Sequence, residues 1–170
     1  MRSFLTFLFI LVSLISFGLA GYLGWQRYSP ISLVSLPKVS AGRPEFIKIS
    51  DLQIDLPIIP AQLSGVRWQY TSQGVSYLDS TPIPGEIGNS VLYGHNWPKL
   101  LARLNNARPG QIVEIGLAGG AVRRFIITST SVVPPSQIDI LSPSTTPRLT
   151  IFTCTGFLDS QRFVAVAEPV

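Results

Sequence analysis

This 170-residue chain carries one cysteine and one histidine, so a thiol–imidazole pair can form in only one way. Cys154 ends the apolar run Arg148-Leu149-Thr150-Ile151-Phe152-Thr153. His95 ends the run Gly88-Asn89-Ser90-Val91-Leu92-Tyr93-Gly94. Arg162 follows the cysteine and opens the last run, Phe163-Val164-Ala165-Val166-Ala167. A thiol, an imidazole and a guanidinium at three strand ends are the parts of a cysteine acyl-transfer site. The thiol attacks a carbonyl as thiolate, and a free cysteine has a pKa near ~8.5, so neighbouring positive charge helps. His95 can protonate a leaving amine. Arg162, with backbone N–H groups near Cys154, can stabilise the oxyanion of a tetrahedral intermediate.

Each residue also has a plainer reading. A cysteine closing an apolar strand is ordinarily a small core residue. A histidine after a strand is ordinarily structural, and an arginine at a strand start is ordinarily a solvated charge. Thr153 suits either a strand or the lining of the site. Trp97 reads as a core or rim aromatic. Asp159 or Glu86 could orient His95, and nothing in the sequence selects between them.

The elements that must position these groups are mostly strands. Fourteen prolines and fourteen glycines favour strands and turns over helices. Strand candidates are Phe46–Ile49, Leu52–Ile58, Val66–Tyr70, Ser90–Tyr93, Gln111–Ile115, Ala121–Val133, Leu149–Thr153 and Phe163–Ala167. Leu117-Ala118-Gly119-Gly120 reads as a hairpin turn. Pro98 to Asn105 predicts a short helix, with Leu100, Leu101 and Leu104 on one face. Val133 to Pro147 is a long loop with four prolines. The sum is an all-β fold, a closed eight-stranded β-barrel with one or two short helices.

The barrel is preceded by a segment without charge from Ser3 to Gln26. About 20 apolar residues at ~1.5 Å each span a hydrocarbon core of about 30 Å. Tyr22, Trp25 and Tyr28 cluster where an interfacial aromatic belt would lie. The segment reads as an N-terminal transmembrane helix, with a cleavable signal peptide ending at Gly18-Leu19-Ala20 as the rival. Either reading puts the rest outside the cytoplasm. The organisation expected is an anchor at 1–28, a Pro/Ser/Gly-containing linker at 29–44 and a barrel at 45–170.

The net charge of +4 is spread over scattered basic residues, with Arg123-Arg124 the one doublet. There is no basic stripe with interleaved aromatics, which argues against a nucleic-acid partner. One histidine, one cysteine and scattered carboxylates give no ligand cluster, so neither a metal nor a cofactor is expected.

Four segments together resemble the sortase family of cysteine transpeptidases. They are Asp55-Leu56-Pro57-Ile58, the histidine segment Gly88–His95, Thr150-Ile151-Phe152-Thr153-Cys154, and Arg162 with Phe163–Ala167. The resemblance covers nearly all of Glu45 to Val170. It implies a membrane-anchored enzyme with Cys154 as nucleophile and His95 and Arg162 as partners. Such an enzyme cleaves a sorting motif like Leu-Pro-x-Thr-Gly on surface proteins. It passes the acyl group to an amine on the cell wall or on a pilin-like protein. Release of the thioester to water would make it a protease instead. A membrane-anchored β-barrel that binds peptide or wall material without catalysis is the non-enzymatic alternative. The resemblance further implies that the 133–147 loop contacts the motif, with Ile138, Ile140 and Leu141 as pocket candidates beside Thr153. No Asp-Pro-aromatic lid motif lies between Ser29 and Glu45, and Asn96-Trp97 follows the histidine where an arginine is common. These departures point to a short, lidless class.

Overall fold

The computed structural model describes residues 2–28, 42–64 and 67–170. Eight strands close a barrel. In chain order they are β1 (Pro44–Ile49), β2 (Ile54–Ala61), β5 (Val75–Leu78), β6 (Gly88–Gly94), β7 (Ile112–Leu117), β8 (Val122–Val133), β9 (Pro147–Thr155) and β10 (Gln161–Pro169). Around the barrel they run β1-β2-β5-β6-β9-β10-β8-β7 and back to β1. Two short strands, β3 (Leu63–Ser64) and β4 (Arg67–Trp68), pair as a separate ribbon. The all-β closed barrel expected from the strand pattern is therefore present.

Two expectations about elements need correction. Of the strand expected at Val66–Tyr70, Val66 lies outside the described residues; Arg67 and Trp68 pair with β3 and not with the barrel. Its place is taken by β5, whose four residues are all buried. A run of four with no alternation, next to a turn-rich stretch, carries too little periodicity to stand out. The helix expected at Pro98–Asn105 is a turn followed by a 3-10 helix at Ala102–Asn106. Leu100, Leu101 and Leu104 are buried as the pattern required. The tighter winding shows in its three-residue bonds, with Leu104 N–H donating to Leu101 and Ala107 N–H to Leu104, while the Leu101 N–H before it donates to the His95 carbonyl.

Two apolar clusters flank the wall. Inside the barrel lie Ile47, Ile49, Leu92, Ile115, Phe125, Ile151 and Ala165, plugged by the three leucines. Outside, Val91, Tyr93, Phe152 and Val164 form a second cluster that Trp68, Ile140 and Leu141 cover. Strands β6, β9 and β10 are thus buried on both faces. This explains why they read as continuous apolar runs. Truncating an interior residue such as Leu92 to alanine removes about 2–5 kcal/mol. At the β7–β8 hairpin, Gly119 and Gly120 adopt positive φ, as that turn demands.

Arg2–Tyr28 is one α-helix, α1. Among the described residues, no helix is long and apolar enough to cross a membrane. The linker expected at 29–44 falls largely at 29–41, outside the described residues, and Pro44 already belongs to β1.

Candidate active site

Strand parity brings the three reactive groups to one face. Along β9, Leu149 and Ile151 point into the barrel while Phe152 points outward. Cys154 shares the outward parity of Phe152. On β10, Ala165 is inside and Val164 outside, which puts Arg162 outward as well. On β6, Leu92 is inside and Tyr93 outside, and His95 follows with the parity of Tyr93. The pairing supplies the rest. Arg162 lies directly opposite Cys154 in the antiparallel β9–β10 ladder. Such partners have Cβ atoms about 4.5–5.5 Å apart. Gly94 pairs with Thr153 in the parallel β6–β9 ladder. His95 and Cys154 are thus each one residue beyond the same pairing, at adjacent strand ends.

The electrostatics favour an uncharged resting pair. Burial pushes the Cys154 thiol up; Arg162 pulls it down and Asp159 pushes it up. Burial lowers His95, Asp159 raises it and Arg27 lowers it. Arg27, near the end of α1, reaches the barrel here, donating to the Asn96 carbonyl at 3.3 Å. The Arg162 guanidinium donates through one terminal nitrogen to the carbonyls of Asp159 (2.8 Å) and Gln161 (2.9 Å). It thereby fastens the β9–β10 loop, in which Gly156, Leu158 and Asp159 have positive φ. A guanidinium has five N–H donors, so others are left to face a substrate.

Aromatic rings surround this centre. The His95 ring stacks on Trp97 at 4.4 Å and 9°, and meets Tyr70 at 5.0 Å and 33°. Tyr70 also packs edge-on against Tyr93 at 5.2 Å. The buried Tyr93 hydroxyl, pushed up to about 12 chiefly by burial, donates to the Gln69 carbonyl at 2.7 Å and so fixes the residue before Tyr70.

A cleft of about 90 Å³ opens beside Arg162, between Trp68, Tyr70 and the β8–β9 loop residues Ile138, Ile140 and Leu141. That loop is fastened from below by Asn89. The Asn89 side chain is buried, donating to the carbonyls of Ile140 (3.0 Å) and Ser142 (3.2 Å). It accepts from the Thr150 hydroxyl at 2.7 Å. A larger depression of about 730 Å³ is lined by Phe46, Lys48, Asp55, Glu114, Val122 and Arg124, and includes no reactive group. There Asp55, Lys48, Glu114 and Arg124 alternate in sign across four paired strands, which suits a solvated face.

A family model, the sortase domain, matches residues 47–170. The chain belongs to the sortase family. Solved structures of similar fold include sortase A from Corynebacterium diphtheriae, at TM-score 0.65 and 22% identity, over 78% of this chain and 63% of that one. Sortase C from Clostridium perfringens SM101 matches at TM-score 0.61 and 22% identity, over 78% and 72%. Sortase C-1 from Actinomyces oris matches at TM-score 0.61 and 24% identity, over 74% and 72%. This sortase thus spans less than two thirds of the Corynebacterium chain. A comparison with curated proteins finds no match.

The structure brings Cys154, His95 and Arg162 to one end of this sortase barrel, and Ile138, Ile140 and Leu141 to the adjoining cleft. Thr153 departs from the expectation. It is buried, and its hydroxyl donates to the Gly94 carbonyl at 2.9 Å. Its parity is that of Ile151, into the barrel, so it ties β9 to β6 and does not line the cleft. Among the described residues no group of three or more His, Cys, Asp or Glu gathers to hold a metal. Sequence reasoning missed Asn89, Tyr70 and the contact of Trp97 with the imidazole. A polar residue inside the apolar run Gly88–Tyr93 was the available signal for Asn89. Tyr70 and Trp97 gave none, because ring contacts between distant segments leave no local pattern.

Proposed function

We propose that this sortase is a membrane-anchored cysteine transpeptidase. It cleaves a motif resembling Leu-Pro-x-Thr-Gly between Thr and Gly and transfers the acyl group to an amine. The observation that carries the proposal is the register: Cys154 opposite Arg162 on one side, and level with His95 on the other. The Cys154 thiol gives its proton to His95 and its sulfur bonds the Thr carbonyl carbon. Arg162 steadies the oxyanion, a contact of a kind worth about 10²–10³ in rate. The imidazolium returns the proton to the leaving glycine amine, and the C–N bond breaks. The thioester then waits. An incoming amine loses a proton to the imidazole as it forms the new amide, the C–S bond breaks, and the imidazolium returns the proton to the Cys154 thiolate. Water in that place gives hydrolysis.

The cleft walled by Ile138, Ile140 and Leu141 supports binding of the motif's apolar Leu-Pro part. Its surface-protein substrates and its acceptor amine, on the wall or on a pilin-like protein, follow from the family. The anchor is supported by the charge-free stretch Ser3–Gln26. Phe9, Ile10, Leu11, Leu14, Ile15 and Phe17 are all exposed on α1. The barrel then lies on the extracytoplasmic side.

The test is peptide turnover with and without an added amine. Wild type should give both amide and hydrolysis products, and Arg162→Lys should lose most kcat/KM because it lacks the planar fork. Full activity in Arg162→Lys would refute guanidinium contact with the reacting carbonyl.

A further inference from the structure

A histidine that shuttles protons must be held in one orientation, and a hydrogen-bonded carboxylate is the usual device. Here the close neighbours of the imidazole are rings. Trp97 lies parallel to it at 4.4 Å, and Tyr70 approaches at 5.0 Å. Trp97 is stacked on the imidazole, and Tyr70 meets it at a tilt of 33°. Both rings are themselves held. Trp97 packs on the barrel core, and its carbonyl accepts from the N–H groups of Leu100 and Ala102. Asn105 donates to the Asn96 side chain at 3.0 Å and steadies the same turn. Tyr70 is set by its edge-on contact with Tyr93 and by the Tyr93–Gln69 hydrogen bond.

We propose that Tyr70 and Trp97 are positioning residues that bracket the His95 imidazole and stabilise its protonated form during acyl transfer. The inference rests on the proposed transpeptidase reading. The physical reason is the negative face of an aromatic ring. A cation over it is favoured, most of all over tryptophan. Burial disfavours the imidazolium, and two aromatic neighbours recover part of the loss without exposing the site to water. The charged groups that face this assembly are few. Asp159 on the β9–β10 loop favours the imidazolium, and Arg27 of α1 opposes it. Lys99 lies 5.6 Å from the Trp97 ring centre and competes for that ring's electrons. Cys154 and Arg162 act on the Tyr70 side.

The test uses the full chain in detergent with four variants. Trp97→Leu and Tyr70→Leu keep an apolar cover and remove the ring; Trp97→Phe and Tyr70→Phe keep a ring. As the chain has one histidine, its imidazole proton resonances report His95 alone. Each leucine variant should lower kcat about threefold to thirtyfold, the range of one cation–π partner, with KM within about twofold. It should also move the imidazole titration to lower pH and its resonances downfield, as ring-current shielding is lost. Each phenylalanine variant should recover most of both effects. Tyr70 is the more exposed ring, so Tyr70→Leu decides the matter if Trp97→Leu does not fold. An unchanged titration and unchanged resonances in a folded leucine variant would overturn the bracket. So would a rise in KM alone, which would make the rings walls of the substrate cleft. Absence of peptide turnover in wild type would count against the transpeptidase reading, and the titration would still report on the bracket.

Discussion

Replacing Asn89 by alanine should loosen the wall of the peptide cleft without touching the thiol. Asn89 lies under the β8–β9 loop and holds it through two carbonyls, Ile140 at 3.0 Å and Ser142 at 3.2 Å. Two such bonds contribute about 1 kcal/mol each, so the closed loop loses about 2 kcal/mol against its open forms, a factor of about 30. The same substitution strips the Thr150 hydroxyl of its acceptor. Thr150 is fully buried, and an unsatisfied buried hydroxyl costs a further 1–3 kcal/mol or so of global stability. The two consequences separate by design. Thr150→Val removes the second effect and leaves the loop bonds. Pairing the two substitutions in a double-mutant cycle isolates the coupling, expected near 1 kcal/mol. The assay is steady-state peptide turnover, with Cys154 alkylation by iodoacetamide as a control for the reacting centre. In Asn89→Ala, kcat/KM should fall about tenfold to thirtyfold, mainly through KM, while the alkylation rate stays within about twofold. Thr150→Val should lower the melting temperature and leave KM in place. An unchanged KM in a folded Asn89→Ala protein would refute the argument that this side chain shapes the cleft.

Three further outcomes follow from the site. Burial holds the Cys154 thiol above its ordinary range, so its thiolate fraction at neutral pH lies below that of free cysteine. Its alkylation rate should therefore still be climbing above pH ~8.5, and a plateau by pH 8 would contradict this. Asp159→Asn removes a charge that raises both Cys154 and His95, so both titrations should move to lower pH together; opposite movements would refute the shared cause. Thr153→Val deletes the bond to Gly94, and should lower stability by about 1 kcal/mol in a denaturation curve while leaving KM unchanged, because the side chain faces the barrel and not the cleft.

The reactive triad was legible because it sits at the ends of long apolar runs, and run ends are local features. Strands β6, β9 and β10 are buried on both faces, so each shows as a largely apolar run next to its reactive residue. Alternation would also have placed Thr153 correctly. Once Cys154 is given to the outer face, its neighbour must face inward. What the sequence withheld was long-range. β5 is four residues long and is recognisable only through its parallel partner β2 and antiparallel partner β6. The bond from Asn89 to Ile140 joins residues 51 positions apart. The Tyr70 and Trp97 contacts to His95 depend on how β4, β6 and the turn after it meet, and no spacing rule encodes that.

The central claim is that Cys154 forms a thioester with a sorting-type peptide and passes it to an amine. Intact-mass spectrometry of the full chain, incubated with an Leu-Pro-x-Thr-Gly peptide library and quenched in acid, tests it most directly. The account predicts a mass gain equal to the peptide up to its threonine, located on Cys154. Added amine should discharge that adduct and yield the amide, and Cys154→Ala should show none of this. Peptide cleavage by Cys154→Ala, or an adduct on any other residue, would contradict the account.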